Sequence, residues 1–405
     1  MVEVFFVISG FALSYKVANL SRKPVSYADS HAILRNLASS IWKRYLRLVL
    51  PCAGTFILVT LFVGAGWFEA VPFEQRGGLR GLVEPRPPKM DSFFGQLEWG
   101  LKDFYKFAVP LTLFFDVGYA VYRWETDSHL WTIPQEFHQS LCLFLTIVGL
   151  SHIKRWLRMR VFLPCIVVIA LYNMYWEYSL FIFGFLLAEV YVSILSTSEN
   201  STSSGVSDTA SLPIYSKERR YSYASEILKK TGLVVLFILS LYLCSYPEVS
   251  PQPDSTTGFT FLEALTPPRY TEDTWHRFWL TLGAYLLVFS IMMLPKIHTI
   301  LCSKLFQYLG RISFSLYLVH GTIVRSLGYA LVHWGWRQMG VSALWENDSL
   351  PDNVKDLEAR RIVMVFLGFV GIIPVTIWSA DIFWRVVDMP SVRFVRWLES
   401  KLVRL

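Results

Sequence analysis

Charge is what this sequence has least of. Only 17% of its 405 residues are Asp, Glu, Lys or Arg, while 53% are hydrophobic. An average soluble domain carries roughly a quarter charged residues. Soluble domains built from a chain of this length could not cover so much apolar surface, which excludes soluble enzymes and disordered scaffolds. Cysteine is scarce as well. The five (Cys52, Cys142, Cys165, Cys244 and Cys302) lie far apart and form no CxxC or Cys/His cluster. Neither a disulfide framework nor a metal site is therefore expected, and the cysteines read as small packing residues. No internal repeat is evident, which weakens a transporter built on inverted repeats. The net charge of +7 suits Lys and Arg in cytoplasmic loops better than a nucleic-acid partner, and none is expected.

What the sequence has is long apolar runs. A helix needs about 20 mostly apolar residues to cross the hydrocarbon core of a bilayer. Nine intervals qualify: 2–18, 45–67, 130–150, 159–176, 178–196, 231–247, 276–294, 312–335 and 361–385. The expected fold is all-α, a polytopic transmembrane helix bundle in contact with the lipid bilayer. A tenth apolar stretch, 104–122, contains Lys106, Pro110 and Asp116 and reads as interfacial or re-entrant within an outer loop, 68–129. Residues 197–230 are rich in Ser and Thr and read as a flexible cytoplasmic loop.

Charge sets the orientation. With the first span running inward, the cytoplasmic segments hold 24 of the 38 lysines and arginines, and the C-terminus is cytoplasmic. This topology leaves Met1 on the non-cytoplasmic side directly before a helix, so a tenth span is expected ahead of it. Of the three glycosylation sequons, at Asn19, Asn200 and Asn347, only Asn347 lies on the outer side. The membrane is expected to be the endoplasmic reticulum or the plasma membrane.

Several blocks can carry chemistry. In VEVFFVISGFALSYK, Ser9 and Gly10 offer a small pair for close helix packing. Arg44 and Arg47 share one helix face at the cytoplasmic mouth of the second span. Two readings stay open for them: forked guanidiniums that clamp phosphates such as those of coenzyme A, or ordinary positive-inside anchors. In HLWTIPQEFH, Glu136 sits about 9 Å below the outer end of its helix. A carboxylate at that depth is a functional candidate, with an interhelical hydrogen bond as the alternative. His138 lies on another face and reads as a packing residue. Glu189, near a cytoplasmic helix end, can snorkel to water. In LGRISFSLYLVHG, His320 lies about 12 Å from the cytoplasmic face and is balanced between packing and function. Arg325 lies further along the same span, with no partner legible in the sequence.

Taken together, FFVISGF (5–11), RYLR with Pro51, LWTIPQEF (130–137), FIFGFLLAE (181–189) and GRISFSLYLVHG (310–321) resemble the acyltransferase 3 family of polytopic membrane O-acyltransferases. The blocks occur in the family's order, and FWRVVDMPSVRFVRWLE (383–399) resembles its fungal branch. The resemblance implies a single membrane domain over 1–405 with ten helices. It implies acyl-CoA as donor substrate on the cytoplasmic side, no bound cofactor, and transfer to a hydroxyl of a small-molecule acceptor such as a fungal secondary metabolite. Acetyl as the transferred group follows from the family alone. The family also carries an arginine followed by a catalytic histidine in a first helix, which would precede Met1 here.

An attacking alcohol must lose its proton to a base, and the tetrahedral oxyanion needs donors. On this reading Arg44 and Arg47 hold the coenzyme A phosphates, Glu136 orients the base or the acceptor hydroxyl, and His320 is the candidate base. Two other readings are a transporter or lipid flippase with Glu136, His320 and Arg325 along its pathway, and a catalytically dead relative that binds acyl chains.

Overall fold

The computed structural model describes residues 2–20, 27–69, 87–109, 126–203, 217–247, 258–271, 274–338 and 354–402. They form α1 (Val2–Leu20), α2 (Tyr27–Gly64), α3 (Phe93–Ala108), α4 (Thr132–Leu150), α5 (Leu163–Tyr172), α6 (Trp176–Ser203), α7 (Lys217–Cys244), α8 (Trp275–Met293), α9 (Lys304–Ile323), α10 (Tyr329–Gln338), α11 (Val354–Phe383) and α12 (Met389–Leu402). No strand occurs among the described residues. Each of the nine intervals expected to span is helical over most of its length. Among the described residues, five stretches are long and apolar enough to cross a membrane: Val2–Leu20, Ile33–Gly64, Trp176–Ser196, Trp275–Met293 and Gly368–Lys401.

Several helices outrun their apolar cores. α2 begins well before residue 45, and α9 begins at Lys304 rather than 312. A hydropathy pattern marks where lipid begins, whereas a helix continues wherever its backbone hydrogen bonds can. The same effect takes helix into the Ser/Thr-rich segment expected to be flexible, to Ser203 and again from Lys217; residues 204–216 lie outside the described set. Of the expected interfacial stretch 104–122, only 104–109 is described, and 104–108 forms the last turns of α3.

The chain divides into two compact units, one of residues 1–40 and 138–303, the other of residues 41–137 and 304–405. The first unit is built around α1 and α6. Their backbones approach so closely that a Cβ on Gly10 would lie 2.3 Å from the Phe181 carbonyl oxygen, and one on Gly184 would lie 2.3 Å from that of Val7. Gly184→Ala is therefore expected to separate the two helices and lower the melting temperature in detergent, since a carbonyl cannot rotate away as a side chain can. An unchanged melting temperature would contradict this packing. Midway along α6, Glu189 is fully buried and does not snorkel. It accepts from Arg155 Nε at 2.8 Å and from Arg158 Nη2. Arg158 opens a π-helical turn, Arg158–Phe162, after the short basic loop, and that turn brings its guanidinium back inside.

In the second unit α3 lies against α2 through Phe104 and Phe107, each 5.3 Å from the Phe56 ring. α9 and α11 pack side by side. A second π-helical turn, Val324–Gly328, joins α9 to α10, and a third, Trp384–Asp388, joins α11 to α12. Such turns insert one extra residue per turn and re-aim side chains, often at functional sites.

Candidate functional site

Two groups of polar residues in the second unit bring candidate site residues together. The first pairs α2 with α4. Arg44 Nη2 donates to Glu136 Oε1, and the Glu136 side chain is 4% exposed against 17% for Arg44. Tyr45 reinforces the contact by donating to the Ala108 carbonyl and tilting over Phe137 at 5.4 Å. The two residues are 92 apart in the chain. They were expected near opposite faces of the membrane. The helix α2 extends N-terminally through the basic segment, so Arg44 stands on a continuous helix just before the apolar run 45–67. Arg47 is one turn on and exposed, so it stays apart from the ion pair. The Arg44 Nε is buried and has no hydrogen-bond partner among the described residues.

The second group surrounds the 3-10 turn Ser128–Trp131, which leads into α4. Asp127 caps that turn: its Oδ1 accepts from the His129 backbone N–H at 3.1 Å and contacts His129 Nδ1 at 3.1 Å. Arg325, re-aimed by the second π turn, supplies the partner that the sequence left unassigned. Its Nη2 lies 3.2 Å from Asp127 Oδ1 and donates to the Thr126 carbonyl at 3.3 Å, and its guanidinium covers the Phe68 ring at 5.4 Å. Burial by itself would raise the Asp127 carboxyl, but the charge of Arg325 and the hydrogen bonds from His129 outweigh it and hold the group below its ordinary value of 3.8. The stability this pair contributes is thus complete above the ordinary value and is lost only as pH falls through the depressed one. Across mildly acidic and neutral pH, Asp127 stays ionised.

His320 belongs to this second group. Its ring centroid is 4.6 Å from that of His129, and its Nδ1 lies 2.6 Å from the Tyr317 carbonyl oxygen. It sits about 16 residues into α9, or ~24 Å along the axis from Lys304, and eight residues past the start of the apolar run at 312. Tyr317 stands between the groups. Its hydroxyl bonds to the Thr132 hydroxyl and donates to the His129 carbonyl, and it feels the charges of both Asp127 and Glu136. His138 is engaged elsewhere, 3.3 Å from Gln139 Nε2. The structure thus brings Arg44 to Glu136 and His320 to His129, with Tyr317 between the two pairs. Asp127, His129 and Tyr317 are the residues that sequence reading passed over. The first had a legible signal, an aspartate capping the turn before a helix; Tyr317 stands one turn from His320.

Paired charges buried among described residues that form helices and no strand, several helices being of membrane length, define a multi-pass membrane protein with an internal polar site. The model of the family described as "Acyltransferase domain" matches residues 1–385, and the chain belongs to that family, acyltransferase 3. It is an acyltransferase for groups other than aminoacyl groups, which sets the transporter reading aside. The chain is 27% identical over 417 residues to the O-acetyltransferase PaAT-1 of Phomopsis amygdali, covering 100% of this chain and 74% of the relative. It is 28% identical to the acyltransferase R4 of a Phoma strain (84% of this chain, 71% of the relative). It is 27% identical to the acyltransferase clz18 of Cochliobolus lunatus (83% and 70%). Comparison with solved structures finds no match.

Proposed function

We propose that this protein moves an acetyl group from acetyl-CoA to a hydroxyl of a small-molecule acceptor, a fungal secondary metabolite. The name of the Phomopsis relative supports acetyl as the group and oxygen as the acceptor atom. The observation that carries the reading is the pair of a buried Glu136 with a half-buried Arg44, whose Nε is unbonded among the described residues. A carboxylate and a guanidinium largely withdrawn from water between apolar helices are a functional candidate. In this assignment Arg47, exposed on the same helix, holds the coenzyme A phosphates, Arg44 orients Glu136, and Glu136 positions the acceptor hydroxyl. His320 stands with the second polar group as the base that the sequence offered. Nine spans, with the C-terminus cytoplasmic in the endoplasmic reticulum or plasma membrane, complete the proposal.

Purified full chain in lipid nanodiscs, supplied with acetyl-CoA and a library of small-molecule alcohols, is expected to release free thiol and yield acetyl esters. Absence of both would sink the reading. Arg47→Ala is expected to raise KM for acetyl-CoA about 10- to 100-fold with kcat little changed, the equivalent of one lost charge-assisted contact of roughly 1.5–3 kcal/mol. A change in kcat alone would remove Arg47 from donor binding. Expression in a glycosylating host tests the topology: glycan on Asn347 and none on Asn200 is expected, and glycan on Asn200 would reverse the orientation.

A further inference from the structure

We propose that α12, with the π turn that leads into it, binds an anionic phospholipid: Arg393 and Arg396 hold the headgroup phosphate, and an exposed apolar row ending at Trp397 takes the acyl chains. The proposal goes beyond the acyl-transfer reading and uses none of the residues assigned to it.

Helical spacing sets up the surface. Arg393, Phe394, Arg396, Trp397, Ser400 and Lys401 are all exposed, whereas Val395 among them is buried. At ~100° per residue the exposed side chains fall on one side of α12 and Val395 on the other. The inner side is tied to α2 of the same unit. Lys43 Nζ lies 2.8 Å from Glu399 Oε1, so the acid of α12 is engaged away from the open side. Gly54 lets the π turn come close: a Cβ there would fall 2.7 Å from Val387 Cγ1.

The open side offers two kinds of surface. One is apolar. Trp378, Ile382 and Val386 recur every four residues and are exposed along the end of α11 and the π turn. Phe394 and Trp397 continue that exposed surface along α12, their rings stacked 5.9 Å apart. Aliphatic side chains in such a row suit acyl chains, and tryptophan suits the headgroup level.

The other kind is cationic. Among the described residues, Arg393, Arg396 and Lys401 have no carboxylate partner. Arg385, exposed on the π turn, differs from them: its Nε donates to Asp381 at 2.8 Å. Arg393 and Arg396 are three apart and so are neighbours on the helix surface, where two forked guanidiniums can close on one phosphate.

The occupant must match both kinds of surface at once. A soluble anion matches only the arginines, and a neighbouring apolar helix matches only the row. A phospholipid with a net negative headgroup matches both, and on the orientation proposed above α12 meets the leaflet in which such lipids concentrate. Positive-inside anchoring needs basic residues somewhere in the segment. It does not need two unpaired arginines one turn apart beside a stacked aromatic pair.

Native mass spectrometry of the full chain in detergent, with added phosphatidylserine or phosphatidylcholine of matched acyl chains, reads bound lipid directly. Phosphatidylserine is expected to be retained in preference to phosphatidylcholine. Arg393→Gln combined with Arg396→Gln is expected to weaken its retention about 30-fold, roughly fivefold for each arginine. Arg385→Gln is expected to leave retention unchanged, because Asp381 already holds that charge. Glycerophosphoserine, the same headgroup without acyl chains, is expected not to bind. In the unmodified protein, a photoactivatable phosphatidylserine is expected to label residues within 378–401, a readout that needs no variant to fold. Equal retention of the two lipids, an equal loss in Arg385→Gln and the double variant, binding of glycerophosphoserine as tight as that of the lipid, or labelling confined to other segments would each overturn the proposal.

Discussion

Glu136→Ala should abolish turnover and destabilise the protein by about 3–5 kcal/mol, because it leaves the Arg44 guanidinium buried without its carboxylate. Arg44→Ala should cost a similar amount from the other side of the pair, since the Glu136 side chain is 4% exposed and has little water to turn to. Removing both charges at once separates stability from chemistry. An apolar pair of similar volume, Arg44→Met with Glu136→Leu, should regain most of the lost melting temperature, as buried ion pairs exchanged for well-packed apolar groups often do. It should regain none of the acetyl transfer. Melting temperature and thiol release measured on wild type, the two alanine variants and the apolar double variant decide the matter. Full turnover in the apolar double variant would reduce the pair to a structural clasp and remove Glu136 from the site.

Glu189→Ala should be the most damaging change in the first unit. Its carboxylate is fully buried and joins two arginines, one of which, Arg158, is 4% exposed along its side chain. Without Glu189 that guanidinium is an uncompensated charge among apolar helices, again a loss of about 3–5 kcal/mol. Arg155 is 21% exposed and can find water, so Arg155→Ala should cost far less. The contrast reads directly as the fraction of protein recovered monodisperse after extraction into detergent: strongly reduced for Glu189→Ala, close to wild type for Arg155→Ala. Equal recovery of the two would mean that the clasp contributes nothing to folding.

The two clasps differ in what they leave exposed to chemistry. Around Glu189 the carboxylate is used twice over, and the guanidinium of Arg155 also caps the Glu189 carbonyl at 2.9 Å. Around Asp127 the carboxylate serves an imidazole that is one-third exposed. Arg325 brings both a charge and a ring contact to that carboxylate, and it can do so because the π turn at Val324–Gly328 turns its side chain inward. A regular helix through the same residues would aim it about a quarter of a turn away.

Much of this protein is already written in its order of residues. An apolar run must be about 20 residues long to cross hydrocarbon, and every backbone group inside must bond within its own helix, so hydropathy alone marks where helices stand. Nine such intervals were legible, as was Glu136 as a carboxylate within the membrane, whereas Arg44 read as either a phosphate clamp or an anchor at a helix mouth. The family blocks were legible too, because they are short strings in fixed order. Which buried charge meets which was not legible. Arg44 meets Glu136 across 92 residues, and Arg325 finds Asp127 from another helix altogether, and neither spacing follows any helical period. His320, a histidine inside an expected span, drew attention away from His129, which stands beside it on the turn before α4. Periodicity and hydropathy are properties of one helix in lipid. Pairing depends on the rotation and depth of each helix against its neighbours, set by close contacts such as Gly321 under His129 and by single π turns, and only the folded bundle decides those.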